Sequence, residues 1–128
     1  MTKELTRLTT EDQVAKLLGF ELLEVSPGYA KAEMQIQSSH LNGIGTLHGG
    51  IMFSLADYVF AVAANSYGTP TVAVQAGISY YKTPSGPIVS AESKELSNGR
   101  KICSYEVEIR DPDGTLVAKF IGTGYRKI

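Results

Sequence analysis

A single cysteine, Cys103, stands among 128 residues, so no disulfide can close within the chain. It falls inside an alternating run and reads as a buried free thiol, which suits a reducing compartment. Neither sign of charge is in excess. The formal net charge is −1, a balance that offers nothing to nucleic acid or to an anionic membrane surface. Long apolar runs are missing too. The longest, residues 51–64, is broken by Ser54 and Asp57 and falls short of the ~20 residues that span a bilayer. Residues 1–10 are polar and do not read as a secretory signal. These absences lead us to expect a cytoplasmic chain without nucleic-acid or membrane partners. Histidine is scarce: only His40 and His48 are present, with no second ligand at metal-site spacing, so no metal is expected. The motifs G-x-S-x-G, Walker A and G-x-G-x-x-G are all absent. A hydrolase elbow or a nucleotide-binding fold therefore loses its usual support.

What remains is an ordinary globular composition, 43% hydrophobic and 20% charged. That suffices for one core, and residues 1–128 read as a single domain with about residues 1–9 a flexible start. Thr10, with Gln13 three residues on, signals the cap of a short helix that Gly19 ends. Residues 20–25 and 29–37 alternate as strands around the Pro27-Gly28 turn. A loop of Ser, Asn and Gly follows over 38–50. The pattern then predicts one long helix from residue 51 to about 66, stopped by Gly68 and Pro70. Strands follow at 72–81, 88–96, 102–110 and 116–127, with turn signals at Asn98-Gly99 and Asp111-Pro112-Asp113-Gly114. Short helix, two strands, long helix and four strands make an α+β fold with a mainly antiparallel sheet. The long helix is apolar nearly all round. One sheet covers one side of it, and a second copy of the chain is the economical cover for the other.

The faces of that helix are unequal. Gly50, Ser54, Asp57, Ala61 and Ala64 share one small-residue stripe. Such a stripe suits a tight backbone contact or a slim ligand. Asp57 is its only charge, and the residues one turn away (53, 54, 60 and 61) include no cation. An unpaired carboxylate in an apolar helix is costly to bury, which marks it as functional. The helix opens on Asn42-Gly43-Ile44-Gly45-Thr46-Leu47-His48-Gly49-Gly50. Its first N–H groups have no internal partner, and glycine lets an oxygen approach them, the makings of an oxyanion hole. His48 either orients a reacting group or braces the loop. Eight residues of helix, at ~1.5 Å each, put Gly49 and Asp57 roughly 12 Å apart. One carbonyl cannot meet both within one chain, but two antiparallel helices from two subunits would allow it.

Asn42, the run His48-Gly49-Gly50 and the run Leu55-Ala56-Asp57 together resemble the signature of the PaaI-type hotdog-fold acyl-CoA thioesterases. The likeness runs over about residues 10–128. It implies a hotdog fold, a long central helix wrapped by the sheet, and hydrolysis of an aryl-acetyl or medium-chain acyl-CoA. It implies Asp57 as nucleophile or base, the N–H of Gly49 from a facing subunit as carbonyl donor, Asn42 as a positioning group and His48 as orienter of the thioester. Gly50 would permit the tight helix start, and Ser54 would lie beside the substrate. The partners implied are acyl-CoA and a homodimer that pairs into a tetramer, with CoA as part of the substrate and no separate cofactor. Some relatives carry Ser or Thr on the strand after the helix, where this chain has Ala73. Gln75, two residues on, is the candidate to hold a water instead. Lys82, Arg100 and Lys101 are candidates for the CoA phosphates. The rival readings are a non-catalytic acyl-CoA binding or sensing protein and a hotdog hydratase or dehydratase.

Overall fold

A computed structural model describes residues 2–127. The chain begins with α1 (Lys3–Thr10) and α2 (Gln13–Leu18), then β1 (Phe20–Ser26) and β2 (Tyr29–Gln35). After a 3₁₀ turn at Ser38–His40 comes the long helix α3 (Gly49–Asn65), and then β3 (Thr71–Tyr80), β4 (Ile88–Asn98), β5 (Ile102–Arg110) and β6 (Leu116–Arg126). The six strands form one sheet in the order β1-β2-β4-β5-β6-β3, antiparallel at every pairing. Helix α3 touches all six strands. This is the wrapped helix expected from the sequence. Among the described residues, no helix is long and apolar enough to cross a membrane.

The polar start carries a helix that the sequence pattern did not show. Residues 3–10 form α1, with the Thr2 hydroxyl accepting from the Leu5 N–H and Leu5 buried. Thr10 ends this helix, its hydroxyl donating to the Thr6 carbonyl. The cap of α2 therefore moves to Asp12, whose carboxylate accepts the Ala15 N–H at 2.9 Å. Gly19 closes α2 in the left-handed conformation, as its position after the last apolar residues predicts. Both α1 and α2 pack on α3. They supply part of the cover that the sequence reading assigned wholly to a second subunit.

Alternation places the core. Ala30, Ala32 and Met34 of β2 and Cys103, Tyr105, Val107 and Ile109 of β5 point to the helix side and are buried. The small side chains of Ala30, Ala32 and Ala91 let α3 lie close to the sheet. On β6, a Cβ at Gly122 would come within 3.2 Å of the Phe60 ring, and one at Gly124 within 2.9 Å of the Cys103 sulfur. The ring of Phe60 occupies the space that side chains there would need.

The far end of α3 is held by Arg126, buried at 5% exposure. Its guanidinium donates to the carbonyls of Ala64 and Gly99, to the Thr71 hydroxyl and to the Asn98 amide oxygen, and it lies over the Tyr67 ring. The cation thus meets the negative end of the helix and ties it to the β4–β5 hairpin and the start of β3. Arg126→Met should cost about 3 kcal/mol, because the buried carbonyl of Ala64 loses a charged donor. Arg126→Lys should recover little, since an ammonium cannot reproduce the fork. Urea unfolding with an unchanged m-value is the check.

Candidate functional site

Helix α3 starts where His48 caps it. The His48 Nδ1 accepts the Gly50 N–H at 2.8 Å, so the helix begins two residues earlier than its apolar pattern suggests. A Cβ on Gly50 would sit 3.0 Å from this ring, which is why glycine stands there. The His48 ring therefore braces the helix start. The Gly49 N–H, by contrast, has no partner among the described residues. Its carbonyl accepts a hydrogen bond from the Tyr80 hydroxyl at 2.7 Å, and a Cβ at Gly49 would lie 3.1 Å from the Tyr80 ring. Tyr80 thus fixes the peptide next to the free donor. No sequence signal links these two residues, which stand 31 positions apart.

Asn42 holds the loop before the helix. Its Oδ1 accepts the N–H groups of Ile44 and Thr46, and its Nδ2 donates to the Thr46 hydroxyl. The amide oxygen of Asn42 is thereby occupied within the loop. Gly45, with φ 84°, makes the turn.

Asp57 sits midway along α3, half-buried, and forms no hydrogen bond or ion pair among the described residues. Burial holds its pKa above the ordinary carboxylate value, and the like charge of Asp12 adds to the rise. It stands on a ridge, shared with Ala61, between two clefts. One, of about 280 Å³, runs toward β3 past Leu8, Thr71, Val72, Ala73 and Lys127. The other, of about 310 Å³, runs toward α2 past Asp12, Val14, Phe20, Phe53, Ser54 and Tyr58. Ser54 lies beside Asp57 in this second cleft and donates to the Gly50 carbonyl.

The remaining candidates lie elsewhere. A β-bulge between Ala73 and Gln75 breaks the alternation of β3. Ala73 pairs with Gly124 and lines the Asp57 cleft, whereas Gln75 pairs with Thr123 on the opposite face. Counting by twos put them on one side, and the extra residue turns Gln75 away, so it cannot hold a water at Asp57 of its own chain. Lys82 is bound to the buried Asp111 at 3.0 Å. Burial alone would raise the Asp111 pKa, but Lys82 and the Ser85 and Gly86 N–H groups outweigh it and lower the value. Lys82 follows one end of β3, while Arg100 and Lys101 lie in the hairpin beside Arg126, near its other end. The ten residues of β3 extend for roughly 30 Å, so these three cations do not gather on one ligand in a single chain. The cation that does line an Asp57 cleft is Lys127, which the sequence reading passed over.

The raised pKa of Asp57 has a consequence for stability. The folded chain holds this proton more tightly than the unfolded chain does. The resulting contribution favours the fold at low pH and is lost as pH rises through the raised value, so at neutral pH the ionised carboxylate is a cost. Asp57→Asn should raise the melting temperature at neutral pH, and the gain should vanish once pH falls below the usual carboxylate range. Equal melting temperatures across that range would contradict the assigned burial of the charge.

Several known proteins resemble this one. A putative esterase of Archaeoglobus fulgidus is 41% identical over 90% of this chain and 75% of its own. The acyl-coenzyme A thioesterase PaaI of Escherichia coli is 34% identical over 90% of this chain and 83% of its own. The structure of the Escherichia coli PaaI protein superposes with a TM-score of 0.90, covering 98% of this chain and 92% of that one at 30% identity. A hypothetical thioesterase of Streptococcus pneumoniae, solved with coenzyme A, superposes at 0.80 over 84% of this chain and 85% of that one, with 26% identity. The Thioesterase superfamily model matches residues 44–118, the stretch that carries Gly49, Asp57 and Tyr80. With its all-antiparallel sheet wrapped on α3, the chain belongs to the Thioesterase superfamily, as a PaaI-type hotdog-fold enzyme.

Proposed function

We propose that this protein hydrolyses acyl-CoA thioesters at sites shared between two subunits. The observation that carries the reading is Asp57, an unpaired, half-buried carboxylate on the ridge between two clefts of a thioesterase fold. Its raised pKa suits it to take a proton from the attacking water, or to attack the carbonyl itself. The free N–H of Gly49 supplies the donor that a developing oxyanion needs. His48 and Gly50 build the helix start that aims it, and Asn42 holds the loop before it. Ser54 lies where the substrate passes.

Sharing follows from distance. Gly49 and Asp57 lie at positions 1 and 9 of α3, roughly 12 Å apart by helical rise. The half-exposed stripe of Phe53, Ser54, Asp57 and Ala61 and the free edge of β3, with Val72 and Val74 exposed, are the surfaces a second copy would cover. A homodimer that pairs into a dimer of dimers completes this reading. The substrate class is an aryl-acetyl or medium-chain acyl-CoA. The Phe20, Phe53 and Tyr58 rings of one cleft support it, as does the coenzyme A held by the pneumococcal relative.

Free-thiol release from phenylacetyl-CoA and from a series of straight-chain acyl-CoAs tests the activity. Wild-type protein should hydrolyse at least one of them, and Asp57→Ala should lower kcat on it by about a thousandfold. Near wild-type turnover in that variant would sink the reading. The Gly49 donor has its own probe. His48 has φ −63° and ψ 131°, a conformation that suits the residue before proline, and proline is favoured at the first position of a helix. Gly49→Pro therefore removes the N–H with little backbone strain, and Gly49→Ala controls for the added Cβ. The proline variant should be slower than the alanine variant by about a hundredfold or more in kcat.

Mixed oligomers test the sharing. Protomers carrying Asp57→Ala and protomers carrying Gly49→Pro should complement when co-expressed and purified through two different tags. In a shared arrangement one site of each mixed dimer holds both lesions and the other holds neither. Mixed dimers as inactive as either parent would place each site within one chain.

A further inference from the structure

The two clefts beside Asp57 differ in charge. The cleft toward β3 has Lys127 and, besides Asp57, no acid. The cleft toward α2 has Asp12 and no cation, and its walls are the rings of Phe20, Phe53 and Tyr58. The Phe20 and Tyr58 rings stand 5.8 Å apart. Asp12 is half-buried at the start of α2. One of its oxygens accepts the Ala15 N–H, and no cation pairs with it among the described residues. The Asp12 carboxylate thus lines a cleft whose other walls are mainly apolar, apart from Ser54 and Asp57.

On the thioesterase reading, which this inference rests on, coenzyme A is a polyanion attached to the acyl group. It is drawn toward Lys127 and repelled by Asp12. That orientation leaves the α2 cleft to the acyl chain. We propose that Asp12 selects the acyl group: neutral chains enter the α2 cleft, and acyl groups that end in a carboxylate are turned away. Two effects act together. A terminal carboxylate loses water on entering an aromatic-walled space, and it finds a like charge there instead of a partner. Once coenzyme A fills the neighbouring cleft, less water remains to screen that repulsion. Asp12 lies outside residues 44–118, which the superfamily model matches. This selectivity therefore belongs to the N-terminal helices of this chain and not to the matched stretch.

The test compares hexanoyl-CoA with adipoyl-CoA, which have equal chain length and differ only in a terminal methyl against a terminal carboxylate. Both present the same thioester to the same Asp57 and Gly49, so any effect of Asp12 on the chemistry itself cancels in the ratio of their kcat/KM values. Asp12→Asn removes the charge and keeps a favoured helix cap, and Asp12→Ser does the same with a different side chain. Wild-type protein should prefer hexanoyl-CoA, and both variants should narrow the ratio by about tenfold. A ratio unmoved in both variants, or a wild-type protein that takes adipoyl-CoA equally well, overturns the role of Asp12 and leaves the thioesterase reading standing. A wild-type protein that releases no thiol from any neutral acyl-CoA overturns that reading and this inference with it.

Discussion

The burial demand of α3 governs this molecule. Seventeen residues, almost all apolar, cannot face water on any broad side. The sheet answers by touching the helix with every strand, and the inward positions shrink to Ala30, Ala32, Ala91, Gly122 and Gly124 where the approach is closest. The two N-terminal helices cover a further part. What stays half-covered is the stripe that carries Asp57. The carboxylate is thus set at a boundary: too enclosed to be an ordinary surface charge, too open to be silenced by a partner.

The two ends of α3 are treated differently. At its C-terminal end Arg126 meets the helix carbonyls and joins them to three other elements. That end is closed by charge and by hydrogen bonds. At its N-terminal end the His48 ring caps the Gly50 N–H and the Gly49 N–H has no partner among the described residues, while Tyr80 steadies the same residue from its carbonyl side. One end of the helix is thus fixed by a charged network, while the other keeps an unspent donor.

Most of the fold was legible because its signals are local. Period-two alternation in β2 and β5, the turn residues between strands and the single long apolar segment each depend on neighbours in sequence. Asp57 stood out for the same reason, since its lack of a cation one turn away can be read from four nearby positions, 53, 54, 60 and 61. The misses have non-local or low-contrast causes. Helix α1 buries little beyond Leu5, too little for a periodic pattern. The bulge in β3 leaves no mark in composition, so the two-residue spacing of Ala73 and Gln75 does not show that they lie on different faces. Lys82 and Asp111, and Tyr80 and Gly49, meet only through the fold. The hydrogen bonds that tie the Asn42 amide oxygen to the Ile44 and Thr46 N–H groups also have no mark in the pattern of the sequence.

The cap made by His48 settles where a proton sits. A neutral imidazole carries one hydrogen on its two nitrogens, and Nδ1 is accepting from Gly50, so the hydrogen belongs to Nε2. The tautomer is thereby fixed by the helix. Beside this ring the Gly49 N–H has no partner among the described residues, while the Gly49 carbonyl is already taken by Tyr80. The surface there has donors to give and little to accept with, which makes it a place where a lone pair is welcome and a hydrogen-bond donor is not.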